Sequence, residues 1–88
     1  MQILELAMQR YTIFGHQACG FCRQAKAVLE SKELPFRYMD IHEEGISPAD
    51  LAATVGKPVS TVPQIFHGEE YVGGYQELMQ YFEQTEVA

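Results

Sequence analysis

The apolar residues of the chain change period as the sequence advances, and each change marks an element. "RYTIF" at 10–14 is dense in β-branched and aromatic residues and stops at Gly15, which predicts a strand feeding a loop. From Cys22 the period lengthens. Cys22, Ala25, Val28 and Leu29 recur at steps of three and four with Arg23, Gln24, Lys26 and Glu30 between them, an amphipathic helix that ends before Pro35. "PFRYMDI", 35–41, reads as a second short strand. Ser47, Pro48 and Asp50 then supply an N-cap, a first-turn proline and an acidic residue three after the cap, ahead of Leu51 and Val55, with Gly56 as the stop. In "PQIFHGEEYVGG" two short apolar runs flank His67-Gly68-Glu69, the pattern of a hairpin, and Leu78, Tyr81 and Phe82 form the stripe of a closing helix.

The predicted order is β-α-β-α-β-β-α. A strand-helix-strand start needs parallel pairing through a right-handed crossover, whereas the hairpin adds antiparallel strands. The expectation is an α/β fold: one mixed sheet with helices packed on it.

Composition trims the range of functions. At 88 residues, 47% hydrophobic and 20% charged, the chain fits one compact domain. Its net charge of −6, with six Lys and Arg scattered along the length, argues against nucleic acid, because phosphate contacts need clustered cations. The acidic balance favours solubility and partners with basic docking surfaces. No apolar run approaches the roughly 18 residues of a membrane span, and "MQILELAMQRYTIF" lacks the basic head and cleavage site of a signal peptide. A cytoplasmic protein without membrane contact is expected.

The chemistry sits in "ACGFC". Two cysteines are too few for a disulfide-stapled secreted domain, which at this size carries four or more. Cys19 stands at the mouth of the first helix, where unpaired N–H groups and the positive end of the dipole favour thiolate. In such sites a cysteine pKa falls from about 8.5 to about 3.5–7.5. Cys22, three residues on, can reach back to Cys19. Two roles follow: Cys19 attacks and Cys22 resolves. A zinc clip would need a second pair of ligands, and the remaining nitrogen donors are His16, His42 and His67. A pair of ordinary core cysteines is the other alternative, but Cys19 lies among small residues off the apolar stripe. No metal site is expected from the residues alone.

"CGFC" after a strand, then "TVPQIF", then "VGGYQEL", resemble a dithiol glutaredoxin of the thioredoxin fold, and the stretch from "DIHEEG" to "TVPQIF" is similar to the bacterial glutaredoxin 1 group. The resemblance covers about residues 10 to 84. It implies a four-stranded mixed sheet flanked by three helices, with residues 10–88 as the domain and 1–9 as an N-terminal extension. It also implies glutathione as co-substrate. Protein disulfides and protein–glutathione mixed disulfides would be the substrates, ribonucleotide reductase among them by analogy, and the protein would act as a monomer.

Residue by residue, the resemblance implies a cis bond before Pro63, with Val62, flanked by Thr61, pairing with the cysteine of glutathione. Gly74 would let the ligand come close, and the amides of Gln76 and Glu77 would take its γ-glutamyl carboxylate. The Glu77 side chain, usually Asp in the family, would meet the ligand's amino group or else serve its own helix N-terminus. Tyr75 and Phe21 would wall the pocket. His16 stands where the family has Lys or Arg against the glycine carboxylate; a histidine, with an ordinary pKa near 6.5, would make that contact pH-dependent. Gly20-Phe21 replaces the common Pro-Tyr and is similar to monothiol members that hold a [2Fe–2S] cluster. The alternative implied is therefore a glutathione-ligated cluster held through Cys19 in a homodimer. A donor docking thioredoxin reductase instead of glutathione is a third reading, against which the "VGGYQE" segment counts.

Overall fold

The computed structural model describes residues 9–86. Its elements follow the expected order: β1 Tyr11–Gly15, α1 Gly20–Ser31, β2 Phe36–Asp40, α2 Pro48–Val55, β3 Gln64–His67, β4 Glu70–Gly73 and α3 Tyr75–Glu86. The strands lie in the order β2-β1-β3-β4. β1 pairs with β2 in parallel, Ile13 opposite Tyr38, and with β3 antiparallel, Ile13 opposite Ile65. The β3–β4 hairpin completes a four-stranded mixed sheet with three helices, the thioredoxin-like arrangement.

Alternation in β1 drives the layering. Tyr11, Ile13 and Gly15 are buried while Thr12 and Phe14 between them are half-buried. Ile13 and Ile65 from the sheet meet Ala25 and Leu29 of α1 and Leu78 and Phe82 of α3, so these two helices share one core. Leu51, the buried residue of α2, stands outside that cluster.

Local chemistry explains the boundaries. Ser47 Oγ accepts the Asp50 N–H at 3.0 Å while Asp50 accepts the Ser47 N–H at 3.1 Å, a reciprocal cap that starts α2. Gly56 ends it at φ 94°. β2 is shorter than expected: Pro35 has no N–H for the ladder, though its carbonyl accepts Tyr11 N–H at 3.0 Å. β1 runs one residue later, since Gly15 still pairs with Asp40.

The first helix begins at Gly20, two residues before the periodic pattern, because a sulfur supplies its cap. Gln9, expected in the extension, packs on the hairpin turn: a side chain on Gly68 would come within 2.5 Å of Gln9 Oε1. The rest of that expected extension, 1–8, lies outside the described residues. No helix among the described residues is long and apolar enough to cross a membrane.

Candidate active site

The turn from β1 into α1 carries the two cysteines, which are joined as a disulfide with Cα atoms 5.2 Å apart. Cys22 is fully buried and Cys19 half-buried. Cys19 is the N-cap of α1: its Sγ accepts the Cys22 N–H at 3.0 Å. A sulfur in this place faces the positive end of the helix, which stabilises the thiolate once the bond is reduced. On its other side the sulfur lies 3.7 Å from the Val62 carbonyl. The disulfide has no proton to donate there, but a thiol would.

The loop before Cys19 is held by one carbonyl. His16 O accepts both Cys19 N–H at 3.3 Å and the Tyr38 hydroxyl at 3.1 Å. Burial, then the Asp40 charge, push the Tyr38 pKa above its ordinary value, against a smaller opposing effect of Arg23, so the hydroxyl remains a donor. Gly15 makes the turn possible: a Cβ there would meet Cys22 Sγ at 2.6 Å and Tyr38 Oη at 2.8 Å.

A cleft of about 200 Å³ opens beside Val62, whose carbonyl lies against Cys19 Sγ. Thr61, Val62 and Pro63 form one wall, with the Val62–Pro63 bond cis, and Gly74 to Glu77 at the start of α3 form the other. Phe21 projects from α1, 57% exposed, and stacks on Tyr75 with ring centroids 5.6 Å apart. The first backbone bond of α3 is Leu78 N–H to Gly74 O at 2.9 Å. The amides of Tyr75, Gln76 and Glu77 precede it and have no partner within the helix. Glu77 Oε1 accepts the Gly74 N–H at 2.9 Å, so this carboxylate caps its own helix.

Eight of the nine residues expected around glutathione thus line one cleft. His16 does not: it lines a neighbouring groove of about 250 Å³, beyond Thr61 and Val62, which border both spaces. Among the described residues no group of three His, Cys, Asp or Glu side chains could hold a metal ion. His67 is engaged in packing, its Nδ1 2.6 Å from the Tyr81 hydroxyl and its ring stacked on Tyr11.

Two features escaped sequence reasoning. Gln64, 4% exposed, donates through Nε2 to the Thr61 carbonyl at 2.8 Å and accepts from the Tyr71 hydroxyl through Oε1, which fixes the Thr61–Val62 wall. A lone polar residue heading the apolar run "QIF" was the available signal. Lys57, with Nζ 5.3 Å from the Tyr71 ring centroid, flanks the same corner and gave no signal.

A Cys-x-x-Cys disulfide at a helix N-terminus, next to a cis-proline on a thioredoxin-like sheet, defines a protein built for thiol–disulfide exchange. The family model described as Glutaredoxin matches residues 11–72, and the chain belongs to the glutaredoxin family. It is 54% identical over 67 residues to Glutaredoxin 1 of Salmonella typhimurium, spanning 70% of this chain and 77% of that protein. To a glutaredoxin of Vibrio cholerae it is 46% identical over 74 residues, 78% of this chain and 85% of the relative. The structure of reduced Escherichia coli glutaredoxin superposes with a TM-score of 0.79 at 36% identity, covering 90% of this chain and 99% of that one. A buckwheat glutaredoxin–glutathione complex shares the fold, with a TM-score of 0.74 at 20% identity over 98% of this chain and 81% of that one.

Proposed function

We propose that the chain is a glutathione-dependent thiol–disulfide oxidoreductase acting as a monomer in the cytoplasm, with residues 10–88 as its working domain. The observation that supports this reading is the cleft, where Thr61, Val62 and Pro63 face Phe21 and the start of α3, Gly74 to Glu77, with Val62 O 3.7 Å from Cys19 Sγ. Glutathione in an extended form would set its cysteine against the backbone of Val62 and its γ-glutamyl carboxylate on the amides of Gln76 and Glu77. Phe21 and Tyr75 would cover it, Gly74 would admit it, and Thr61 and Pro63 would complete the wall. The Glu77 carboxylate, already near the helix end, would turn to the ligand's amino group. His16 would meet the glycine carboxylate.

In the reaction, Cys19 thiolate attacks the glutathione sulfur of a protein–glutathione mixed disulfide. The Cys19–glutathione bond forms as the protein–glutathione bond breaks, and the released protein thiolate takes a proton. A second glutathione thiolate attacks that adduct, giving glutathione disulfide and Cys19 thiolate. With a protein disulfide, Cys19 forms the mixed disulfide, and Cys22, deprotonated, displaces the substrate and closes the pair. Two glutathiones then reopen it. Protein substrates would include ribonucleotide reductase.

The test is glutathione-dependent reduction of a small mixed disulfide by wild type, Cys19→Ser and Cys22→Ser. Activity should vanish in Cys19→Ser and persist in Cys22→Ser. Retained activity in Cys19→Ser contradicts the reading. The [2Fe–2S] alternative, which rests on Gly20-Phe21, would instead give coloured dimeric protein whose absorbance depends on Cys19.

A further inference from the structure

His42 has no role in the chemistry described so far. It follows β2 in a turn that Asp40 closes, Oδ1 accepting His42 N–H at 2.9 Å and Glu43 N–H at 3.1 Å. Its ring lies flat on that of His16, centroids 4.9 Å apart and planes at 9°. Together the rings form a partition: both line the groove beyond Val62, and both line a second cavity of about 350 Å³ whose charged residues are Asp40 and Glu43. His16 Nδ1 is buried and has no hydrogen-bond partner among the described residues.

We infer that His42 joins His16 in a protonation-controlled site for the glycine carboxylate of glutathione. This rests on the glutathione reading above. With the γ-glutamyl end at the start of α3 and the cysteine on Val62, an extended tripeptide continues past Val62, into the groove that shares Thr61 and Val62 with the cleft. Ile41, Leu51 and Val59 make that groove apolar, Ser47 and Ser60 add neutral hydroxyls, and among the described residues lining it the two imidazoles alone can carry positive charge. Nearby cations are committed: Arg23 donates to the Gln17 carbonyl at 2.6 Å, and Lys26 Nζ lies 5.6 Å from the Tyr38 ring centroid.

The other groups facing the pair set the sign of its pH response. Asp40 and Glu43 line the far side of the pair and carry negative charge there. Asp50, from α2, is tied to Ser47 in the helix cap, and the Tyr38 hydroxyl is tied to the His16 carbonyl. With ring centroids 4.9 Å apart, two charged imidazolium rings would repel. A carboxylate in the groove offsets that repulsion. Binding is therefore linked to proton uptake, and the glycine carboxylate loses its hold as pH rises through the histidine range.

The experiment compares the KM of glutathione with that of its glycine monoethyl ester, which lacks this carboxylate, for the full chain as wild type and His42→Phe. Wild type should favour glutathione by about five-fold near pH 6 and hardly at all near pH 8, the size of a half-exposed ion pair. His42→Phe keeps a stacking ring that takes no proton, and its preference near pH 6 should fall to about two-fold or less. Equal preferences in variant and wild type, or a wild-type preference independent of pH, overturn the inference. Absence of any glutathione-dependent turnover in wild type instead overturns the reading on which it rests.

As a check that survives a misfolded variant, S-methylglutathione added to the oxidised wild-type protein should raise the NMR titration midpoints of both rings. An unmoved His42 midpoint overturns the inference.

Discussion

Replacing Gly15 by alanine separates steric crowding from backbone freedom at the point where β1 meets the cysteines. Gly15 is not among the glycines with positive φ, so its backbone accepts an L side chain. With space available, Gly→Ala would stabilise by ~0.4–1 kcal/mol by restricting the unfolded chain. Space is absent here: the new Cβ would stand 2.6 Å from Cys22 Sγ, 2.8 Å from Tyr38 Oη and 3.0 Å from Cys22 Cβ. Cys22 is fixed by α1 and the disulfide, and Tyr38 by β2 and the His16 carbonyl, so neither yields freely. Overpacking of this kind costs ~1–3 kcal/mol. The net loss, after the gain from a stiffer unfolded chain, is up to about 2.5 kcal/mol, or about 10–20 °C in Tm at its upper end for a domain this size. Thermal unfolding followed by circular dichroism measures it. Gly20→Ala is the control, because its Cβ would find only Arg23 Nη2 at 4.0 Å, and it should gain about 0.4–1 kcal/mol. A Gly15→Ala protein more stable than wild type, as Gly20→Ala should be, would refute the close packing of Gly15 on Cys22.

Gln64→Leu leaves the Thr61 carbonyl and Tyr71 hydroxyl without their buried partner and should destabilise by ~1–3 kcal/mol in urea unfolding, while raising the KM for glutathione through a loosened Thr61–Val62 wall. Ser47→Ala removes the cap of α2 and should cost ~0.5–2 kcal/mol, read from the same denaturation curves. Hydrogen bonds from Ser47 hold the Asp50 pKa below its ordinary 3.8, so its stabilising effect is present above the unfolded-state value and disappears as pH falls through the lower folded value. Asp50→Asn should therefore flatten the pH dependence of stability in that acid window, measured as Tm against pH.

What the sequence disclosed was what local rules govern. The α2 cap is written in four consecutive residues, Ser47 to Asp50, and the structure forms it as a reciprocal pair of bonds. The start of α1 was less legible, since periodicity registers apolar side chains, and Gly20 and Phe21 carry none inward; the cap is a sulfur whose bond only geometry reveals. Most of the candidate cleft was legible through motif resemblance, because Thr61 to Pro63 and Gly74 to Glu77 are two short continuous segments. The rest depends on contacts between distant positions. Tyr38 reaches back across 22 residues to the His16 carbonyl, and His16 meets His42 only after β2 has returned beside β1. Neither pair leaves a mark in local periodicity.

The most direct test of the central claim uses Cys22→Ser incubated with glutathione disulfide, followed by mass spectrometry and amide NMR. The account predicts one glutathione on Cys19 and chemical-shift changes at Val62, Gln76 and Glu77, the backbone groups that line the cleft. An adduct on Cys19 that leaves the amides of Gln76 and Glu77 unmoved would mean that the cleft does not hold the tripeptide, and would contradict it.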